Sequence, residues 1–165
     1  TIAALGLGGN IGDPAVAMAR ALGELDAHGD CRVLAVSGLY RTPPWGKTDQ
    51  PDFLNQSLLV EVQTSPRELL ARCQELEQRA NRVREERWGP RTLDVDIVDI
   101  EGYSSSDAEL IVPHPYAHER AFVLIPWLAA DAVAKLKGQD VSALVAALDP
   151  QETVNIHRLG LMEEL

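Results

Sequence analysis

"FLNQSLLVEVQTSPRELLARCQELEQRANRV", residues 53 to 83, changes its periodicity a third of the way along. Residues 53 to 62 alternate well enough for a strand. Ser65, Pro66 and Glu68 then form an S-x-x-E capping box with proline at the first helical position. Beyond it Leu69, Cys73, Leu76, Ala80 and Val83 recur at helical spacing as one apolar stripe, with Gln74, Glu77 and Asn81 along its rim. A strand feeding a helix is therefore predicted at the centre of the chain.

Working outward, "LDVDIVDI" (93 to 100) reads as the strand that follows and "CRVLAVSGLY" (31 to 40) as the strand that precedes. Between the latter and residue 53 lies "RTPPWGKTDQPD", whose three prolines and one glycine predict an exposed, shaped loop. At the start, "IAALGLG" (2 to 8) is an apolar run ended by Gly-Gly-Asn, a buried strand closing in a tight turn. Asp13 and Pro14 then cap a helix carrying Met18, Leu22 and Leu25. The order strand, helix, strand, strand, helix, strand predicts an α+β fold with a ferredoxin-like βαββαβ core, an antiparallel sheet with helices on one face. Later in the chain, "ELIVPH" (109 to 114) reads as a short strand and "YSSSDAE" (103 to 109) as a surface loop. "ERAFVLIPWLAA" (119 to 130) is a mixed apolar segment, and Asp140 begins a small helix through Val141, Leu144, Val145 and Leu148.

With 165 residues and 45% hydrophobic content, one domain spanning residues 1 to 165 is expected. The formal net charge of -10 argues against general attraction to nucleic acid or anionic membrane, so any anionic ligand must meet a local basic cluster. Cys31 and Cys73 are too few for a disulfide framework and too far apart for a CxxC metal site; two reduced thiols suit the cytoplasm. The start lacks a basic n-region, Thr1 stands where an initiator would, and "AFVLIPWLAADAVA" is broken by Pro126 and Asp131. The expectation is a soluble chain with no targeting or membrane-spanning segment.

Asp94 and Asp96 point to the same side of their strand, with alpha carbons roughly 7 Å apart. Such a pair is either a solvated acidic face or a site for a hard cation, and Mg²⁺ commonly takes one or two carboxylates together with substrate phosphates. Arg79, Arg82, Arg84, Arg87 and Arg91 are five of the fifteen Lys and Arg residues, gathered within thirteen positions just before the pair. The helix dipole accounts for Arg79 and Arg82. It does not account for Arg87 and Arg91, which flank Gly89-Pro90, and guanidinium forks match phosphate oxygens. A polyphosphate held between cations and carboxylates is the better reading. Acid and base work of the glycosidase kind is not, since arginines would lower both carboxyl pKa values.

Other features stay open on the residues alone. His114 and His118 are surface histidines, or, with Arg120, donors to the same phosphate site; Pro113 and Pro115 oppose the helix a zinc pair would need. Trp45, Phe53 and Asn55 are core aromatics and a strand amide, or an aromatic face and an amide edge for a flat heterocycle. The glycines of "ALGLGGNIGD" miss the G-x-G-x-x-G spacing, and the chain contains no Walker loop. An RNA-binding module on the open sheet would need basic and aromatic residues where Asp94 and Asp96 stand.

In this order, "YRTPPWG", "DQPDFLN", "RVREERWGPRTLDVDI" and "PHPYAHERAFVL" resemble the 6-hydroxymethyl-7,8-dihydropterin pyrophosphokinase family, from Ile2 to about Trp127. The resemblance implies transfer of the terminal diphosphate of ATP to the hydroxymethyl group of the pterin, with release of AMP, in folate biosynthesis. It implies two Mg²⁺ ions on Asp94 and Asp96, and phosphate-binding roles for Arg82, Arg84, Arg91, His114 and Arg120. Gln74, Glu77 and Ile97 match nucleotide-side positions. Thr42, Pro43, Pro44, Trp45, Phe53, Asn55 and Phe122 match the pterin side, with the ring between Phe53 and Phe122 and Trp88 closing over ATP and pterin. Arg82, Arg91 and Asp96 are the expected catalytic residues. The expected partners are these small molecules, with no nucleic acid and no membrane, for a monomeric cytoplasmic enzyme. Closure of the 82 to 91 loop is expected to exclude water and limit turnover. The chain departs from common family residues at Gly9, where serine is frequent, at Phe53, where tyrosine is common, and at Glu109 and Tyr116, where some members carry arginine.

Overall fold

The computed structural model describes residues 1–44, 49–80 and 92–159. Strand β1 (Ile2–Gly9) leads to helix α1 (Pro14–Ala27), whose N-cap Asp13 accepts a hydrogen bond from the Val16 amide. Strands β2 (Cys31–Val36), β3 (Tyr40–Thr42) and β4 (Phe53–Val62) follow, then helix α2 (Pro66–Arg79) and strand β5 (Asp94–Ile100). Ser65 caps α2 by accepting from the Glu68 amide, and its hydroxyl also donates to the Glu68 carboxylate. Strand β1 lies between β4 and β5, antiparallel to both, and β2 and β3 both pair with β4. This is the predicted βαββαβ arrangement.

The single strand expected over 31 to 40 is broken. A register shift between Val33 and Ala35 bends β2, and the chain leaves the ladder at Ser37-Gly38-Leu39. Ser37 pins the break, since its hydroxyl and carbonyl take bonds from the Ser57 amide and the Gln56 side chain. The Ser-rich stretch is likewise not a loop throughout. Strand β6 (Ser105–Asp107) pairs with β7 (Leu110–Val112) in a hairpin outside the main sheet. Arg67 of α2 grips the turn of that hairpin through Asp107 at 2.8 Å and Glu109 at 3.0 Å.

The apolar segment after residue 120 forms helix α3 (Ala121–Ala130), with Pro126 inside it. A proline there removes one helical hydrogen bond, and a helix apolar all round has no single periodic stripe. Strands β8 (Lys135–Leu136) and β9 (Gln139–Asp140) make a small hairpin that leads to helix α4 (Val141–Ala146). Asp140 is the N-cap residue of α4, as expected, although its side chain makes no capping bond. Helix α5 (Pro150–Thr153) and strand β10 (His157–Arg158) complete the fold, β10 pairing with β3.

Helices cover both faces of the sheet, which corrects the one-face expectation. On one face Leu5, Leu7, Leu58 and Val60 pack with Met18 and Leu25 of α1 and Leu69, Cys73 and Leu76 of α2. On the other, Ala4 and Val98 pack with Leu124 and Trp127 of α3 and with Val141 of α4. Helix α3 covers only part of that second face, and the uncovered part becomes the cleft described below. None of the helices among the described residues is long and apolar enough to cross a membrane. Leu124 is 0% exposed, so Leu124→Ala is expected to lower the unfolding free energy by about 2–5 kcal/mol. Urea denaturation checks this; a loss below half a kcal/mol would mean that α3 is not part of the core.

Candidate functional site

Side chains at β1 positions 4, 6 and 8 project onto the second face, because strand residues alternate. Gly6 stands opposite Ser57 on β4 and Asp96 on β5, and Gly8 stands opposite Asn55 and Asp94. Two glycines in that row leave a strip bare of side chains between the β4 row and the β5 row. The strip is the floor of a cleft of about 420 Å³. Strand β1 runs through Gly9, so the glycines are not the tight turn expected at its end.

The β4 side of the cleft carries Phe53 and Asn55, with Thr42 and Pro43 from β3 and the residues after it. Asn55 is buried, and its amide nitrogen donates to the buried Thr42 Oγ1 at 2.7 Å. With the amide nitrogen on Thr42, the oxygen Oδ1 lies over Gly8. Upstream, the side chain of Asn10 donates to Gln50 Oε1 and the Pro51 carbonyl, both at 2.9 Å, anchoring the chain just before Phe53.

The β5 side carries Asp94, half-buried, and Asp96, exposed. Helix α2 adds Leu70, Gln74 and Glu77 to the lining. Glu77 Oε2 accepts from the Val95 amide at 2.9 Å, so the backbone between the two aspartates is tied to α2. Among the described residues, no group of three or more His, Cys, Asp or Glu side chains gathers as a metal site. A two-carboxylate pair suits Mg²⁺, which retains waters and shares phosphate oxygens, better than a zinc cage.

The third wall is the segment from His114 to Val123. His114 is joined to β5 by its amide, which donates to the Val98 carbonyl at 2.9 Å. Its Nδ1 accepts from the Tyr116 amide at 3.3 Å, which leaves Nε2 to carry the proton of the neutral ring. Burial, and then the charge of Arg120, push its pKa down from 6.5 to about 4. Arg120 is buried, with its guanidinium 5.1 Å from the Tyr116 ring centre and 5.4 Å from that of Phe122. Below the floor, burial raises the Cys73 thiol pKa, and the charges of Glu77 and Asp96 add to the shift. The thiol of Cys31 is raised to about 11, again chiefly by burial. Both cysteines are free, buried and protonated, so neither is a nucleophile at neutral pH.

The fold thus gathers Thr42, Pro43, Phe53 and Asn55 with Gln74, Glu77, Asp94 and Asp96, and closes the cleft with His114, Arg120 and Phe122. Pro44 is not among the lining residues, and Ile97 points into the core under α1 and α2 instead. Trp45, Arg82, Arg84, Trp88 and Arg91 lie outside the described residues, as do Asn81, Val83, Arg87 and the Gly89-Pro90 pair. Sequence reasoning missed the glycine floor, Leu70 and Val123. The floor had a signal in Ala4, Gly6 and Gly8, a shrinking series at period two; Leu70 and Val123 had none apart from ordinary apolar spacing.

Fold and cleft together define an α+β protein that can hold a flat amide-reading ligand on one side of a glycine strip and a cation-bound anion on the other. The model of the 7,8-dihydro-6-hydroxymethylpterin-pyrophosphokinase (HPPK) family matches residues 4–132, and the chain belongs to that family. A relative from Methylorubrum extorquens, named 2-amino-4-hydroxy-6-hydroxymethyldihydropteridine pyrophosphokinase, is 47% identical over 91% of this chain and 95% of its own. One of the same name from Mycobacterium tuberculosis is 42% identical over 90% of this chain and 84% of its own. A solved Plasmodium falciparum HPPK-DHPS chain shares the fold, with a TM-score of 0.71 at 14% identity. The match covers 99% of this chain, which spans about half of that one, 47%.

Because the folded pKa of His114 is below the unfolded value, acidification protonates the unfolded state first. The stability His114 contributes is complete above about pH 6.5 and is lost as the pH falls toward about 4. An NMR titration of His114 is expected to show a midpoint near 4. His114→Gln is expected to lose less stability than the parent between pH 6.5 and 4.5; equal losses would refute the assignment.

Proposed function

We propose that this chain transfers the terminal diphosphate of ATP to the hydroxymethyl group of 6-hydroxymethyl-7,8-dihydropterin, giving the pterin diphosphate and AMP in folate synthesis. The observation that carries this reading is the juxtaposition across Gly6 and Gly8. Asn55 and Phe53 line one side, and Asp94 and Asp96 stand on the other. A substrate pair with a flat heterocycle at one end and a polyphosphate at the other would use both sides of so narrow a floor. The family match and the names of the relatives agree with it.

On the pterin side, Phe53 and Phe122 offer apolar ring faces, while the Asn55 oxygen accepts from the edge of the heterocycle. Asp94 and Asp96 would hold two magnesium ions, which when bound neutralise phosphate charge. Arg120, His114 and Gln74 would contact the nucleotide, with Arg82, Arg84 and Arg91 as further phosphate partners by their resemblance to the family. Trp45 on the pterin side and Trp88 rest on that resemblance as well. The hydroxymethyl oxygen attacks the β-phosphorus as the bond from that phosphorus to the α-phosphate oxygen breaks, and AMP departs with that oxygen. The hydroxyl proton leaves as the new bond forms, with Asp96 as its acceptor. Such a transfer depends on alignment and charge rather than on a protein nucleophile, which agrees with the protonated state of both thiols. His114, neutral, serves as a hydrogen-bond donor from Nε2 rather than as a cation.

A monomeric cytoplasmic enzyme with small-molecule partners, and without nucleic acid or membrane, completes the proposal. The net charge of -10 and the two free thiols support it.

The test is AMP release from ATP and the dihydropterin, with and without Mg²⁺. Formation of AMP is expected to require both pterin and metal, and to fall by about 10²-fold or more in Asp94→Ala and in Asp96→Ala. Phe53→Ala is expected to raise KM for the pterin by about tenfold and leave KM for ATP nearly unchanged. AMP formed equally without pterin, or aspartate variants as active as the parent, would overturn the proposal.

A further inference from the structure

Gly8 has no backbone reason to be glycine. It lies within a regular antiparallel ladder, paired on both sides, and is not among the glycines of positive φ. Glycine in the middle of a strand weakens it and often marks a close approach by another group. The group here is Asn55. A β-carbon on Gly8 would sit 2.9 Å from Asn55 Oδ1, closer than such contacts occur, and 3.6 Å from the Leu54 carbonyl oxygen.

Asn55 cannot simply turn away. It is 8% exposed, and its amide nitrogen is committed to Thr42 Oγ1, which belongs to a residue 2% exposed. Rotating the carboxamide would break that bond and leave a buried hydroxyl and a buried amide to find new partners. Two strand positions back, a β-carbon on Gly6 would meet only Val98 Cγ2, at an ordinary 3.6 Å. The two floor glycines are therefore different: one leaves space in the cleft, and the other makes room for a particular side chain.

We propose that Gly8 is a positioning residue for Asn55. Its missing side chain lets Thr42 hold the Asn55 carboxamide flat above β1, with Oδ1 as the fixed acceptor of the cleft. The identity of the ligand rests on the pterin reading above; the placement of Asn55 does not. A side chain at position 8 displaces the amide oxygen and lowers affinity for the heterocycle selectively, since the nucleotide half of the cleft is lined from β5, α2, His114 and Arg120.

The experiment compares the parent chain with Gly8→Ala, Asn55→Ala and the double variant. Two readings are taken: the NMR signals of the Asn55 side-chain amide without ligand, and dissociation constants for 6-hydroxymethylpterin and for ATP measured separately. In Gly8→Ala the Asn55 amide protons are expected to shift and exchange faster, pterin binding to weaken by about tenfold or more, and ATP binding to change less than about twofold. In the Asn55→Ala background the further loss from Gly8→Ala is expected to be less than about twofold, because the group it displaces is already gone. Unchanged Asn55 signals, equal losses for both ligands, or fully additive losses would each overturn the assignment. A parent chain that binds no pterin, together with the expected change at Asn55, overturns the pterin reading and leaves the positioning role of Gly8 standing. Should Gly8→Ala fail to fold, Thr42→Val removes the same anchor without adding bulk. It is expected to give the same selective loss, with binding restored in Thr42→Ser; no loss in Thr42→Val overturns the proposal.

Discussion

The two faces of β1 set opposite demands, and both the core and the cleft of this protein depend on how one strand meets them. Leu5 and Leu7, 0% and 2% exposed, anchor the layer under α1 and α2. Ala4, Gly6 and Gly8, their alternate neighbours, become smaller toward the end of the strand. Where the residue is alanine, α3 can sit on the sheet; where it is glycine, a ligand can. The central position of β1 gives those glycines neighbours on both sides. Hence the amide of Asn55 and the carboxylate of Asp94 are separated by one bare strand, a spacing set by the sheet itself.

Polar groups around that floor are tied to the backbone and to one another. The tie from Glu77 to the Val95 amide braces the backbone between two like charges. His114 and Arg120 stand on the opposite wall. Burial first, and then the nearby charge of Arg120, keep the histidine neutral, while the arginine spreads its charge over Tyr116 and Phe122. In a chain with a net charge of -10, this fixed cation is how the wall favours an anion locally.

Much of this is legible in the sequence. The capping box at Ser65, the Asp13-Pro14 start and the alternation of residues 94 to 100 are local signals, and each names its element correctly. The local signals failed where tertiary packing overrides them. Helix α3 carries proline and no polar face, because it is enclosed by the sheet on one side and α4 on the other. The broken β2 and β3 strand is held by Ser37 bonding to a strand twenty residues away, and the β6 and β7 hairpin by an arginine on α2. None of those partners lies within a local window.

For the site the division is similar. Sequence by itself determined the chemistry on offer: paired carboxylates on one strand face, an aromatic and an amide in Phe53 and Asn55 that suit either a core or a flat ligand, and a cationic cluster in an acidic chain. These follow from residue type and period, which are properties of a short segment. Tertiary structure alone decided that the first two sets face each other across Gly6 and Gly8, that Ile97 turns to the core and that His114 loses its charge. It also decided that Asn55 owes its orientation to Thr42 and to the room above Gly8. Each of those outcomes depends on which strand lies beside which, and strand order is set by the burial of both faces of β1 at once, an energy that no single segment contains.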